Sequence, residues 1–295
     1  MARRIVVSGA SGLIGAALVS SLRADGVEVT ALVRRPPRGE SEMQWFPGDG
    51  VLDPEVLAGA DAVVALGGAS VGRLPWTRGY RRELVDSRLQ ATRTLTTALR
   101  ALRSDAPALV SASAVGYYGS APGEVLTEDS AAGQTFLADL TVRWEAEARQ
   151  AEDHTRVALL RTAPVIHRRG VLKPLLTLTR LGVSGPLGRG TQIWPWISLD
   201  DEVRAIRHVL DAKIAGPVNL TGPAPASAND IGRALATRIH RPFWLPAPAW
   251  ALRLALGDAA DSLLLPDADV RPQVLERSGF RFSHATAAEA VAAAL

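Results

Sequence analysis

A chain of 295 residues that is 47% hydrophobic can bury a large core and form about two domains, or one domain with an appended lobe. It contains no cysteine, which excludes disulfides, thiol nucleophiles and thiolate metal sites; no apolar stretch approaches the roughly 20 residues of a bilayer span and no secretory leader precedes "MARRIVVSGAS", so a cytoplasmic protein without a membrane partner is expected. The formal net charge is only +3, carried almost wholly by arginines in scattered pairs without interleaved aromatics, which argues against a nucleic-acid partner.

The first predicted element is the strand "RIVVS", followed by the helix Leu13–Ala24, which the turn pair Asp25-Gly26 closes. Between them "SGASGLIG" sets Gly9, Gly12 and Gly15 at a strand-to-helix junction. Glycines there let backbone amides approach a pyrophosphate, and the helix N-terminus adds a partial positive charge. Ser11, Leu13 and Ile14 belong to the same candidate phosphate site. The second strand, "VEVTALV", ends at Arg34 and Arg35, where an NAD enzyme would carry an acid for the ribose 2′-hydroxyl. A guanidinium at that place suits a 2′-phosphate, so NADP(H) is the expected cofactor.

Next come the short run "MQWF" with Gly48 and Asp49, the latter a candidate contact at the adenine edge, and the strand "DAVVAL", whose end carries Gly67, Gly68 and Ala69. Small residues at strand C-termini are where open α/β sheets receive ligands. A helical pattern spans Gly79–Leu102. "PALVSAS" is the next strand and delivers Ser113, Tyr117 and Tyr118; "FLADLTVRWEAEA" is helical, and "RVALLR" is a strand that ends at Arg161, a further candidate at the cofactor edge. Apolar runs without polar alternation indicate strands covered on both faces, and their alternation with helices predicts an α/β, Rossmann-type doubly wound parallel sheet.

After Arg161 the texture changes. Arg168–Pro195 is rich in glycine and proline, "WPWISLDDEVRAIRHVL" reads as a strand leading into a helix, "GPVNLTG" as a short strand, "ALRLALGDAADSLLL" as one helix and the alanine-rich end as another. The expected division is a cofactor domain of residues 1–165 with about 196–222, and a substrate lobe of about 166–195 with 223–295. Of the pair Asp200-Asp201, one is expected to cap the following helix. "RRG" at Arg168–Gly170 and Arg189 are candidates to clamp an anionic substrate or to be an exposed basic loop, and Trp76, Trp194 and Trp196 to line a cleft or to be core. The five histidines show no spacing that sets two imidazoles on one helix face, so no metal is expected.

Taken in order, "GASGLIG", "DAVVALGGASV", "DSRLQATRTL", "SASAVGYYG", "FLADLTVRWE", "GPLGRGTQIWPWISLDD", "GPVNLTGPAP", "RPFWLPAP" and "GFRF" resemble the atypical, extended short-chain dehydrogenase/reductases of the NAD-dependent epimerase/dehydratase-like group with a C-terminal DUF1731 domain. The resemblance implies a Rossmann domain for NADP(H), a small substrate-binding lobe and an oxidoreductase or epimerase acting on a small polar molecule. It also implies that Ser113 holds the reacting oxygen. That superfamily moves its proton with a tyrosine kept acidic by a lysine four residues later. Here the residues four beyond Tyr80, Tyr117 and Tyr118 are Leu84, Ala121 and Pro122, so no YxxxK exists; Phe136 or Leu137 and Thr141 stand near its positions. The proton donor is left to Tyr117 or Tyr118 beside Arg161, or to a carboxylate or histidine of the lobe. The alternative is structural tyrosines in a non-catalytic NADP(H) sensor. Neither the substrate nor the oligomeric state follows from the sequence.

Overall fold

In a computed structural model, which describes residues 3–48 and 52–295, the expected strands assemble into one seven-stranded, all-parallel sheet. Its strands are β1 (Arg4–Ser8), β2 (Glu28–Val33), β3 (Glu42–Gln44), β4 (Ala62–Ala65), β5 (Ala108–Ala114), β7 (Val157–Thr162) and β10 (Gly216–Leu220), and their order across the sheet is β10-β7-β5-β4-β1-β2-β3. The order reverses between β1 and β4, which makes that gap the switch point of a doubly wound fold.

Strand periodicity sorts the core onto two faces. Ile5, Val7, Val64, Val110, Leu160 and Val218 pack on the side of helix α1 (Leu13–Ala24) and helix α5 (Leu199–Asp211). Val6, Val63, Leu109 and Leu159 pack on the other side, toward α2 (Arg78–Leu102) and α3 (Phe136–Arg149). Side-chain caps start several helices: Thr77 accepts the Tyr80 amide, Thr135 the Ala138 amide, and Ser227 forms a capping box with Asp230.

The remaining elements enclose a third core of Ile166, Leu172, Trp194, Trp196, Leu235 and Val291 and also add Leu126, Val270 and Leu275 to the first. They are two small parallel pairs, β6 (Val125–Leu126) with β11 (Asp269–Val270) and β8 (Val165–Ile166) with β9 (Ile197–Ser198), and the helices α4 (Leu172–Arg180), α6 (Ala228–Arg238), α7 (Ala249–Leu256), α8 (Asp258–Leu263), α9 (Gln273–Arg277) and α10 (Ala287–Ala294).

Two details differ from the sequence expectation. "ALRLALGDAADSLLL" is two helices, because Gly257 at φ +57° breaks the run. The cap of α5 is Ser198, whose hydroxyl accepts the Asp201 amide; the Asp201 carboxylate instead accepts the backbone amides of Ser283 (2.7 Å) and His284 (3.2 Å). Glu128 makes a similar tie, its Oε1 accepting the amides of Asn219 and Val274 at 3.1 Å each. Among the described residues no helix is long and apolar enough to cross a membrane.

Candidate functional site

β1 delivers the glycine turn to the switch point. Gly9 turns the chain at φ +75°, and a Cβ there would stand 2.7 Å from the Leu66 carbonyl carbon at the tip of β4. A Cβ on Gly15 would stand 2.2 Å from the Gly9 oxygen. Both glycines are therefore demanded by the turn itself. Gly12 differs: a Cβ there would meet only the Gly9 oxygen at 3.3 Å, with open space beyond. Gly12 is also the N-cap of α1, and that helix has neither a side-chain cap nor an acid in its first turn. Its first amides, at Leu13 and Ile14 beside the exposed Ser11, thus have no side-chain acceptor, and they carry the positive end of the helix dipole. The cradle fits a phosphate.

The two arginines after β2 separate in role. Arg35 is clasped by Glu42 of β3 through bonds of 2.6 and 2.7 Å, an engagement that its assignment to the cofactor did not foresee. The Arg35 hydrogen bonds, helped by the Arg38 amide, pull the Glu42 carboxyl down to about 2. Arg34 is exposed and has no ion-pair partner among the described residues. Asp49 lies outside the described residues. Beyond the end of β4, the Ala69 amide donates to Ser87 Oγ (3.0 Å), and Gly68 packs against Arg88 of α2. The Ser8 hydroxyl below Gly67 is buried without a partner among the described residues.

Ser113 sits at the end of β5, 4% exposed, and its hydroxyl donates to Glu145 Oε1 at 2.6 Å. Glu145 in turn takes a bidentate pair from Arg161 (2.9 and 3.0 Å), whose third nitrogen donates to Tyr118 Oη (2.9 Å) and the Glu128 carbonyl (3.1 Å). Tyr118 Oη donates to Asn219 Oδ1 at 2.7 Å. Burial disfavours the Arg161 charge, but the Glu145 carboxylate more than offsets it and holds the guanidinium firmly protonated. With 2% exposure and four hydrogen bonds inside the protein, Arg161 is internal, which corrects its assignment as a cofactor contact. Burial pushes the Tyr118 phenol up to about 12; the nearby Arg161 pulls the other way and does not prevail. Tyr118 is therefore a structural donor at neutral pH. Tyr117 is half-buried, with the Arg161 guanidinium carbon 3.5 Å from its ring centroid and Tyr118 edge-on at 5.2 Å.

Trp194 and Trp196 are core, donating to the Leu264 and Ala224 carbonyls, and Trp76 donates to the Val71 carbonyl. Arg189 pairs with Asp267 at 2.8 Å, while Arg168 and Arg169 are exposed; burial, helped by these two charges, lowers the pKa of His167. Asp200, Asp201 and His284 come within 4.8 Å of one another, but the Asp201 carboxylate is occupied by the amides of Ser283 and His284. Glu145, Glu128 and Asn219 are the site residues that the sequence reading missed. Glu145 left a signal, a charged residue in register with the buried Ala138, Thr141 and Ala148 on one helix stripe.

A parallel sheet with its strand order reversed at β1/β4, and a glycine turn opening a helix at that reversal, defines a Rossmann-type protein. The profile of the NAD dependent epimerase/dehydratase family matches residues 5–221, and that of the domain of unknown function DUF1731 matches residues 247–294. An epimerase family protein of Mycobacterium bovis is 40% identical over 290 residues, covering 97% of this chain and 96% of its own, and the human epimerase family protein SDR39U1 is 31% identical over 285 residues, covering 95% of each. A crystal structure of human SDR39U1 with NADPH superposes with a TM-score of 0.88 at 29% identity, covering 98% of both chains. The nucleoside-diphosphate sugar epimerase of Corynebacterium glutamicum superposes with a TM-score of 0.80 at 31% identity, over 99% of this chain and 58% of that longer one. The chain belongs to the NAD dependent epimerase/dehydratase family and carries a C-terminal DUF1731 domain, as its motifs led one to expect.

Proposed function

We propose that the chain binds NADP(H) across the β1/β4 gap and acts as an oxidoreductase or epimerase-like enzyme on a small polar substrate. The observation that carries this reading is the N-terminus of α1 at the open Gly12, which has no side-chain cap, with an arginine that has no ion-pair partner among the described residues, rather than an acid, at the end of β2. The NADPH held by human SDR39U1, a protein of the same architecture, supports it. In this reading the amides of Leu13 and Ile14 hold the pyrophosphate and Arg34 the 2′-phosphate. When bound, the cofactor supplies or accepts hydride. Residues 1–165 with about 196–222 form the cofactor domain, and about 166–195 with 223–295 form the lobe over the substrate.

Ser113 donates its proton to Glu145, so toward a substrate its hydroxyl oxygen is an acceptor: it receives a bond from an alcohol rather than donating one to a carbonyl. Tyr117 is the phenol left to move a proton, since Tyr118 is buried and hydrogen-bonded on both sides. The same engagement of Ser113 and Tyr118 favours a second reading, in which NADP(H) is bound but not turned over and the protein senses the cofactor.

Isothermal titration decides the cofactor, with NADPH expected to bind at least about tenfold tighter than NADH, and Arg34→Ala to erase the preference. Equal affinities refute the assignment. Screening carbonyl and sugar compounds for NADPH oxidation then separates enzyme from sensor. A turned-over substrate whose kcat/KM falls about 100-fold in Tyr117→Phe supports the enzyme, and tight NADPH binding without any turnover supports the sensor.

A further inference from the structure

A cavity of about 290 Å³ opens in the lobe, with Leu175, Leu178 and Thr179 of α4, Leu235 of α6, Trp194 and Phe243 in its wall. None of its lining residues belongs to the glycine turn or to the network around Ser113, so it is separate from the dinucleotide cleft. The fold builds it. The amides of Trp244 and Leu245 donate to the Ser184 carbonyl and the Gly188 amide to the Ala247 carbonyl, which stitches segment 244–247 to segment 184–188 beside the two helices. Phe243 is seated directly on α6, where a Cβ on Gly232 would stand 2.6 Å from its ring.

The wall is apolar in effect as well as in composition. No charged side chain lines it, and its three side-chain donors are spent inside the protein: Thr179 Oγ1 donates to the Leu175 carbonyl (2.7 Å), Ser184 Oγ to the Pro242 carbonyl (3.1 Å) and Trp194 Nε1 to the Leu264 carbonyl (3.0 Å). A sugar or nucleotide entering here loses water and meets no free side-chain donor, which is costly, whereas hydrocarbon loses nothing. An apolar cavity of about 150 Å³ holds benzene, so one about twice as large has room for roughly ten carbons. The mouth is apolar too: Leu178, Val183 and Leu245 of the wall are 40%, 41% and 42% exposed. Charge enters just outside it. Arg233 follows the lining residue Gly232, with its guanidinium carbon 6.0 Å from the Phe243 ring centroid, and Arg180 follows the lining residue Thr179. Both arginines are exposed and in no ion pair among the described residues, and Asp230, one turn before Arg233, is engaged by the Ser227 cap. We propose that the cavity binds a medium-chain carboxylate, its hydrocarbon enclosed beside α4 and α6 and its carboxylate outside at Arg233.

Isothermal titration of the intact protein with decanoate, acetate and decan-1-ol, each below micellar concentration, tests this without reference to the dinucleotide. Wild-type protein should bind decanoate, leave acetate unbound and hold decan-1-ol about fivefold more weakly, the worth of one exposed ion pair. Arg233→Gln should erase the difference between decanoate and decan-1-ol. Leu175→Trp fills the cavity and should weaken decanoate at least about tenfold; Leu178→Trp, at the mouth, serves the same purpose if the first variant does not melt as the wild type does. Decanoate bound no better than acetate overturns the proposal, as does a filled variant that keeps both the wild-type melting temperature and the wild-type affinity. Decan-1-ol held as tightly as decanoate overturns the part given to the carboxylate. Displacement of decanoate by uridine 5′-diphosphate would assign the cavity to a polar ligand and overturn the proposal as well.

Discussion

The buried acid Glu202 provides a test of the structure that needs no substrate. It lies in the first turn of α5, 0% exposed, with Oε1 accepting from Thr162 Oγ1 at 2.9 Å and Oε2 unpartnered among the described residues. Burial raises its pKa from 4.5 to about 8, against the smaller opposing effect of the Thr162 hydrogen bond. Between those two values the folded chain keeps a proton that the unfolded chain has released, so stability falls as pH rises, by about 1.4 kcal/mol per unit. The full stabilisation is present below pH 4.5 and is lost as pH passes through about 8. The loss reaches about 3 kcal/mol at pH 7 and about 5 kcal/mol above pH 8. Glu202→Gln mimics the protonated acid and cannot ionise. Urea unfolding of both proteins from pH 4.5 to 8.5 should give curves that nearly coincide at the acid end and diverge steadily up to about pH 8, with the variant several kcal/mol more stable at the alkaline end. Parallel curves would refute the assignment of a neutral, buried Glu202.

The glycine turn and the buried ion pair give two further tests. Gly15→Ala forces a Cβ to within 2.2 Å of the Gly9 oxygen and should lower the melting temperature sharply or prevent soluble expression, whereas Gly12→Val, with open space ahead of it, should keep the circular dichroism spectrum and lose NADPH binding by titration. Glu145→Gln leaves Arg161 buried with its bidentate partner weakened and should lower stability by about 3–5 kcal/mol in guanidinium unfolding; a change below about 1 kcal/mol would mean that the Arg161 charge is solvated.

What could be read from the sequence was local. "RIVVS", "DAVVAL" and "RVALLR" are strands because each is an apolar run buried on both faces, and α1 spans the stretch that its periodicity and Asp25-Gly26 mark out. The phosphate turn was legible for the same reason, since all its glycines lie within seven residues, Gly9 to Gly15. The network around Ser113 was not. Glu145 is 32 residues away, and Tyr118 meets Asn219 across 101, so only the packed sheet reveals that the serine and one tyrosine are already engaged. The engagement of Arg35 was missed because its partner Glu42 belongs to a three-residue strand that carries too little pattern to announce itself.

The two carboxylates that fasten the lobe have a consequence for how such a protein diversifies. Asp201 accepts the amides of Ser283 and His284, and Glu128 those of Asn219 and Val274. Every one of those donors is main chain, so the fastening is indifferent to the side chains carried at the receiving positions, proline apart. A change at Val274, Ser283 or His284 therefore leaves these amide bonds in place even where it removes the contact of Ser283 with Arg204 or of His284 with Ser198 and Asp201, whereas an exchange at Asp201 or Glu128 undoes two bonds at once.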